Sequence, residues 1–262
     1  MLSMVASIWW AVAIYLSLIL PITVALPDLG VQWNPTAKAN NWYNFGSRVV
    51  YDPKENTKDQ VDGLTDGMLV GLARQAYNEM VGLSDYNSIT RTRPAVVAAL
   101  AVDNEVFLAS SISAGFSGAQ SFLYDWGGDP DTADHIPEVT HLLESCQVQL
   151  VEAGGGQSYK ERHSVGGRCA EPMAIHQYLR AHPGSNFQGK GARIAAWGRQ
   201  RGLGTPVFLN ACGKGGLPNH WGCHQLVRSL DIRIISQSPE EAIADYTVSP
   251  QSTLQVAMCS PR

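Results

Sequence analysis

A cysteine and a glutamate lie two residues apart where a helix is expected to begin. They are Cys169 and Glu171 in the stretch GGRCAEPMAIHQYL, residues 166–179. Pro172 lacks an amide donor and is tolerated only in the first turn of a helix, so Cys169 is predicted to lie at or just before the helix N-terminus. The positive end of a helix lowers the pKa of a thiol and favours the thiolate that binds metal. The pair is therefore either a metal ligand beside an acid/base group or a buried thiol beside a surface carboxylate.

Two more cysteines are predicted to converge on Cys169. Cys212 ends the predicted strand TPVFLNACG, and Cys223 begins the predicted helix CHQLVRSL. Three thiolates that come from two helix starts and a strand end leave one tetrahedral position open, which is typical of a catalytic rather than a structural zinc site. Glu171 would point at that position, where its carboxylate could take a proton from the attacking water and give it to a leaving amine. His220 is an alternative ligand to Cys212, because imidazole also suits zinc.

The other cysteines and histidines have plainer interpretations. Cys146 and Cys259 are left over from the three predicted ligands and are candidates for a disulfide, although either could be a buried thiol. Four histidines are interpreted as surface or capping residues rather than as ligands: His163, His176, His182 and His224.

The elements that must position these residues alternate between strands and helices. Residues 61–82 carry an apolar helical stripe that should pack on a sheet, formed by Leu64, Met68, Leu72, Ala76 and Met80. The runs AVVAALAV and VFLASSI flank Asp103-Asn104-Glu105, a pattern that predicts a β-hairpin. Because both runs are almost continuously apolar, the two strands should be covered on both faces.

The second half of the chain continues the alternation. The helix at 169–181 is followed by a predicted loop up to residue 201, then by the strand that ends at Cys212, the helix that begins at Cys223 and the strand DIRIIS. A last edge strand could lie within YTVSPQSTLQVAM. The order β-β-α-β-α-β predicts an α/β fold, with a mixed β-sheet and helices packed on it.

Domain organisation follows from these elements. We assign residues 61–262 to one domain, with an acidic helical insertion at 116–160 and an extended lead-in at 26–60. With 262 residues, of which 45% are hydrophobic and 16% charged, the chain can bury one substantial core. The net charge of -4 differs from that of a dedicated nucleic-acid binder, which is usually basic.

The N-terminus is typical of an exported protein. Residues 1–25 contain no charged side chain, and the apolar run SIWWAVAIYLSLIL is followed by Pro21 and the small-residue site Thr23-Val24-Ala25. This layout predicts a secretory signal peptide cleaved after Ala25, and an uncleaved membrane anchor is the alternative. The mature protein is predicted to be secreted, without stable membrane association once the signal is removed.

The motifs together resemble the cytidine deaminase-like superfamily. The stretches that carry the resemblance are AVVAALAVDNEVFLASSI, GGRCAEPMAI, TPVFLNACG and GCHQLVRSLDIRIIS, between residues 94 and 236. The resemblance implies a zinc-dependent hydrolase that removes the exocyclic amine of a nucleobase, with the cytosine type favoured. It implies that zinc is bound by Cys169, Cys212 and Cys223 and that Glu171 is the proton shuttle. The chain is more similar to the secreted deaminase-like proteins and toxins of microbes than to housekeeping nucleoside enzymes.

Three departures from the family pattern affect the ligands and the substrate. Ten residues separate Cys212 from Cys223 where the family has two, and Ala211 stands where a proline usually precedes the cysteine. The second hairpin strand ends in ASSISAG, without the Asn and Glu that nucleoside deaminases use on the ribose. We therefore favour a base in single-stranded nucleic acid over free cytidine.

The residues expected to border the pocket affect the same choice. The predicted loop is basic, and Trp197 and Trp221 could stack on a base. The candidate substrate residues are Arg193, Arg199, Arg201 and Trp221. If the acidic insertion forms a lid it would repel a polyanion, and a small neutral base or nucleoside would then be favoured. The sequence identifies no protein inhibitor.

Two other classes of function stay open at this point. A deaminase fold could serve as a binding module without turnover, although a purely structural zinc has no need of Glu171 beside it. A cysteine hydrolase could use Cys169 with a histidine such as His220 and would need no metal.

Overall fold

A computed structural model of the chain describes residues 28–39, 42–50, 64–90, 92–114, 138–153, 163, 166–200, 204–212, 221–235 and 252–254. The predicted signal peptide at 1–25 lies outside the described residues, as do Arg201, His220 and Cys259.

The first described residues add strands to the main sheet. β1 (Gln32–Trp33) and the short helix α1 (Pro35–Ala39) lead to β2 (Trp42–Tyr43) and β3 (Phe45–Val50). β1 pairs antiparallel with β3. Part of the segment predicted as an extended lead-in at 26–60 therefore belongs to the sheet.

The predicted apolar stripe lies on the helix α2 (Asp66–Gly82), which is followed by the short helix α3 (Ser84–Ser88). The Thr65 hydroxyl accepts a hydrogen bond from the Met68 amide at 3.2 Å and caps the first turn of α2. The buried residues of the stripe are Met68, Leu72, Ala76 and Met80. The packing of this helix on the sheet is confirmed, since it contacts two strands of the sheet, Val96–Val102 and Arg193–Gly198.

The remaining elements follow in chain order. They are β4 (Val96–Val102), β5 (Glu105–Ser110), β6 (Ser113–Ala114), α4 (Glu138–Glu152), α5 (Ala170–Ala181), β7 (Arg193–Gly198), β8 (Val207–Leu209), α6 (Cys223–Ser229), β9 (Arg233–Ile234) and β10 (Ser252–Leu254).

The predicted hairpin is formed by β4 and β5, with Val102 paired to Glu105 across the turn. Asp103 adopts a positive φ of 54° there, a conformation that Asp and Asn accept more readily than most residues. Along β4, Ala98 and Leu100 pack in a core cluster with α5, whereas Val97 and Ala99 pack in a second cluster with α2. The hairpin is therefore covered on both faces, as its continuous apolarity predicted.

The hairpin lies in the middle of the main sheet. The strand order is β1-β3-β5-β4-β7-β8, with β9 paired to β7 and β10 paired to β3. The β7–β9 pairing is parallel, and the other pairings among the described strands are antiparallel. β10 is the predicted last edge strand, and β2 and β6 form a separate pair. The prediction of an α/β fold with a mixed sheet and packed helices is confirmed.

The prediction of a loop from the end of α5 up to residue 201 is wrong, because this segment contains the strand β7. Six residues of β7 pair with β4, from Gly198 opposite Val96 to Arg193 opposite Ala101. The local pattern gives little sign of this strand, since only the run IAAW lies between basic residues. Pairing with a long buried neighbour stabilises a strand that its own sequence specifies weakly. The element order is thus β4-β5-β6-α4-α5-β7-β8-α6-β9, with β8 as an edge strand that ends three residues before Cys212.

The helix α4 lies inside the predicted acidic insertion at 116–160. Its buried residues Val139, Leu143 and Cys146 pack in the cluster that contains α5 and α6. The acidic residues of α4 are exposed: Glu138, Glu144 and Glu152. Cys146 is a buried free thiol. In the part of the chain that is described, no helix has the length and apolarity needed to cross a membrane.

Candidate metal centre

Both predicted cysteine helices begin where the sequence places them. Cys169 is the N-cap residue of α5, with extended backbone angles, and Pro172 lies in the first helical turn. Cys223 is the first residue of α6, and Gly222 is its N-cap. The Gln225 side chain accepts a hydrogen bond from the Gly222 amide at 2.9 Å and fixes the start of α6. Each thiol therefore lies at the positive end of a helix.

Backbone hydrogen bonds hold the three cysteine segments together. The Ile112 amide donates to the Arg168 carbonyl oxygen at 2.9 Å, which fastens the start of α5 beside the end of β5. The His224 amide donates to the Cys212 carbonyl oxygen at 2.8 Å, which fastens the segment after β8 to the start of α6. Cys212 therefore lies next to the start of α6, although ten residues separate it from Cys223 in the sequence.

Three cysteines and one histidine converge at this point. The Sγ atoms of Cys169 and Cys212 are 3.6 Å apart, and the Cys223 amide donates to Cys212 Sγ at 3.2 Å. The Nε2 atom of His163 lies 3.4 Å from Cys223 Sγ and 3.8 Å from Cys212 Sγ. The four ligand atoms all lie within 4.8 Å of one another. Among the described residues, this cluster brings the three predicted ligands together.

The donor atoms fit a metal ion of the size and softness of zinc. In a tetrahedral site with zinc–sulfur bonds of about 2.3 Å, neighbouring sulfur atoms are about 3.8 Å apart. The 3.6 Å between Cys169 Sγ and Cys212 Sγ matches that edge. Sulfur-rich donor sets favour zinc over hard cations such as magnesium or calcium. The cluster could therefore bind a zinc ion with little movement of its side chains.

The ionisation of the thiols also favours a cation. Side-chain contacts with the Cys169 and Cys223 thiols hold the pKa of Cys212 far below its usual range. The contact with Cys212 raises the pKa of Cys169. Burial, together with the neighbouring thiols, raises the pKa of Cys223. Because closely spaced thiols cannot all ionise, the three cysteines cannot together carry three negative charges when no metal is bound. A divalent cation would compensate two of the three negative charges and so favour ionisation of all three thiols.

Glu171 is buried beside the cluster rather than exposed on the surface. Its side chain is 6% exposed, on the first turn of α5, two residues after Cys169. Burial, and secondarily the negative charge on Cys212, raises the pKa of Glu171 to about 7. The nearby Cys223 thiol acts in the opposite direction and lowers this pKa, but by less than burial raises it. The predicted surface carboxylate is therefore excluded, and the alternative of an acid/base group beside the ligands agrees with this position.

His163 is the member of the cluster that sequence reasoning missed. It was predicted to be a surface or capping residue, but it is 2% exposed and its ring meets Trp221 edge-on at 5.3 Å. The chain reaches it through a turn at Gly166 and Gly167, whose φ angles are 62° and 70°. Glycine is the residue that accepts such angles most readily. The Gly-Gly pair was the one local signal that the chain folds back here.

The candidate substrate residues are not gathered at the cluster. Trp221 is 1% exposed and lies behind His163, so its ring belongs to the core. Arg193 begins β7 and pairs with Asp66 of α2 at 3.0 Å. The hydrogen-bond partners of the Arg193 side chain are thus Asp66 and the Leu64 carbonyl oxygen, both at the start of α2. Arg199 lies near Tyr77 of α2, on the opposite sheet face from α5.

Comparisons with family models, with curated proteins and with solved structures found no match for this chain. The chemistry of the site therefore has to be derived from its own residues.

Proposed function

We propose that this chain is a zinc-dependent hydrolase that deaminates a nucleobase, with the cytosine type favoured. Cys169, Cys212 and Cys223 would hold the metal, and Glu171 would transfer the proton. The observation that carries the proposal is the buried carboxylate of Glu171 among the candidate ligands. The resemblance of these motifs to the cytidine deaminase-like superfamily agrees with it.

The position of Glu171 favours catalysis over a purely structural metal site. Burying a carboxylate costs free energy unless a partner compensates it, and the thiolates beside it add negative charge. A closed structural site gains nothing from this arrangement, since four neutral or anionic ligands already complete it. An enzyme gains a group whose pKa, at about 7, suits proton transfer near neutral pH.

The reaction assigns one task to each part of the site. A zinc ion held by Cys169, Cys212 and Cys223 would supply Lewis acidity and activate water. Glu171 takes a proton from the attacking water as the new carbon–oxygen bond forms. It then gives that proton to the exocyclic nitrogen, whose bond to carbon breaks, so that ammonia leaves. The second proton of the water passes to the adjacent ring nitrogen as a carbonyl group replaces the amine.

The other two function classes are less well supported. A cysteine hydrolase that uses Cys169 needs its thiolate, but the contact with Cys212 raises the pKa of Cys169. A binding module without turnover has no use for Glu171. We propose a nucleobase as the reacting group but not a nucleic-acid strand as the substrate, because Arg193 and Arg199 lie near residues of α2, Asp66 and Tyr77.

Ammonia release tests the proposal. The zinc-loaded protein should release ammonia from at least one of cytosine, cytidine, adenosine or a single-stranded oligonucleotide, with a mass increase of about one dalton. Glu171→Gln should keep the zinc and the fold and lower turnover at least about 100-fold. Zinc-loaded wild-type protein that is inactive on the whole panel would favour the binding module instead.

A further inference from the structure

We infer that His163 is not a metal ligand but donates its Nε2 proton to the thiolates of Cys212 and Cys223, so that the three cysteines hold the metal and one coordination position stays open. The inference rests on the metal site of the proposed function and not on its deaminase activity.

The hydrogen bonds of the His163 ring decide between the two roles. Its Nδ1 atom accepts a hydrogen bond from the Gly167 amide at 3.3 Å. A neutral imidazole carries one proton, so a ring nitrogen that accepts a hydrogen bond leaves the proton on the other nitrogen. Nε2 then carries hydrogen and has no lone pair for a metal ion. Nε2 is the atom that faces the two sulfur atoms, at 3.4 Å and 3.8 Å.

A metal-binding histidine normally shows the opposite arrangement. Its second ring nitrogen usually donates to a carboxylate or a carbonyl oxygen, which fixes the tautomer that coordinates the metal. The Nδ1 atom of His163 faces a backbone donor instead. This donor is held in place, because the Gly166 amide donates to the His163 carbonyl oxygen at 2.6 Å and closes the same turn.

The ring cannot easily turn to offer a lone pair. His163 is 2% exposed and its ring packs edge-on against Trp221, which is itself buried. The turn that positions Gly167 depends on positive φ angles at both glycines, so its amide direction is set by the backbone. The orientation of the ring is therefore fixed by packing on one side and by the turn on the other.

A donor at this position has a clear electrostatic use. Three thiolates around a divalent cation leave one net negative charge, in a site where Cys223 is fully buried and Glu171 nearly so. Buried charge requires hydrogen-bond donors, and donors to a metal-bound sulfur tune the metal. The Cys223 amide donates to Cys212 Sγ at 3.2 Å. His163 Nε2 supplies a second donor to the same sulfur atom, at 3.8 Å. His163 is thus a positioning residue for the thiolates.

X-ray absorption at the zinc edge tests this inference on the wild-type protein loaded with one equivalent of zinc. The expected spectrum shows three sulfur ligands and one light-atom ligand, without the multiple scattering of a bound imidazole ring. Imidazole scattering that disappears in His163→Gln would overturn the inference, and so would failure of the protein to take up zinc.

Two substitutions separate the hydrogen bond from the packing of the ring. The amide of His163→Gln can still donate to sulfur, so its zinc affinity should stay near that of the wild type. His163→Leu fills a similar volume without a donor, and its affinity should fall about 10-fold to 100-fold. His141→Leu, which removes an exposed histidine of α4, is the control and should bind zinc as the wild type does. Equal losses in the Gln and Leu variants would contradict a donor role.

This test is independent of the proposed activity. A three-sulfur, imidazole-free spectrum in a protein that deaminates nothing would support the inference and refute the deaminase. An active deaminase whose spectrum contains imidazole scattering would refute the inference and support the proposed function.

Discussion

The backbone of Gly222 lies so close to Cys212 that a side chain cannot fit between them. A Cβ atom at residue 222 would lie 2.7 Å from Cys212 Sγ and 2.8 Å from the Cys212 carbonyl oxygen. Both distances are shorter than 3.0 Å, a separation below which Cβ atoms are essentially never found from other heavy atoms. The sulfur and the backbone would both have to move to admit a methyl group. Glycine at this N-cap therefore sets the distance between two of the candidate ligands.

Gly222→Ala should weaken zinc binding about 10-fold or more while the chain stays folded. The added methyl displaces Cys212 from Cys223, and metal affinity is sensitive to the placement of ligands by the residues around them. Competition with a chromophoric chelator measures the affinity. Gly204→Ala is the matched control, because a Cβ atom there meets nothing within 4 Å. Unchanged affinity in Gly222→Ala would mean that Cys212 does not bind the metal.

Removing a thiol from the cluster should remove the metal. Purified mature protein should contain about one zinc per chain, and Cys212→Ser should lose most of it, because a serine hydroxyl is a poor substitute for a thiolate. Cys146→Ala is the control: it also removes a buried free thiol, but from α4 and outside the cluster. Metal analysis of both variants gives the answer. Full zinc content in Cys212→Ser would show that the ligand set is wrong.

The positions of the cysteines could be predicted because local signals specify them. Pro172 restricts the start of α5 to the neighbourhood of Cys169, and the periodicity of Leu226 and Val227 restricts the start of α6 to Cys223. Helix starts depend on a few neighbouring residues, so one sequence is enough to find them. The convergence of the two helices was an inference from element order, and the structure agrees with it.

The features that could not be predicted depend on distant contacts. The run IAAW forms β7 because the long strand β4 pairs with it. The ring of His163 joins the cluster through the turn at Gly166 and Gly167, and this glycine pair is a weak signal in the sequence. Arg193 was expected at the pocket because it lies in the chain between the helix that begins at Cys169 and the strand predicted to end at Cys212. It instead pairs with Asp66, which is 127 residues away in sequence. Charge patterns in one sequence do not reveal which opposite charge is near in space.

Asp66 should make the stability of the fold depend on pH in the acid range. Its hydrogen bonds with Arg233, and then with Arg193, lower the pKa of Asp66 in the folded protein. The unfolded chain therefore binds more protons, so the stabilisation is present above the unfolded pKa of about 3.9 and is lost as the pH falls through the folded pKa. Asp66→Asn should lower the free energy of unfolding by about 1 kcal/mol at neutral pH, since the pair is partly exposed.

Urea unfolding at pH 7 and at pH 3 measures this difference. The gap between the wild type and Asp66→Asn should shrink at pH 3 and in high salt. Asp85→Asn is the control, because its ion pair with Lys38 is exposed on both sides and should contribute little. A gap that stays the same at both pH values would mean that the charge of Asp66 is not what stabilises the fold.

Trp221 should contribute to stability rather than to stacking on a substrate. It is among the largest fully buried side chains described, and it packs against His163 behind the cluster. Trp221→Ala should lower the free energy of unfolding of the metal-free protein by about 3–5 kcal/mol, because it leaves a large cavity. Trp197→Ala, on the other face of the sheet and only partly buried, should cost less. Urea unfolding monitored by circular dichroism measures both. If Trp221→Ala kept its stability and lost only turnover or substrate affinity, the ring would lie at the pocket, as the sequence alone suggested.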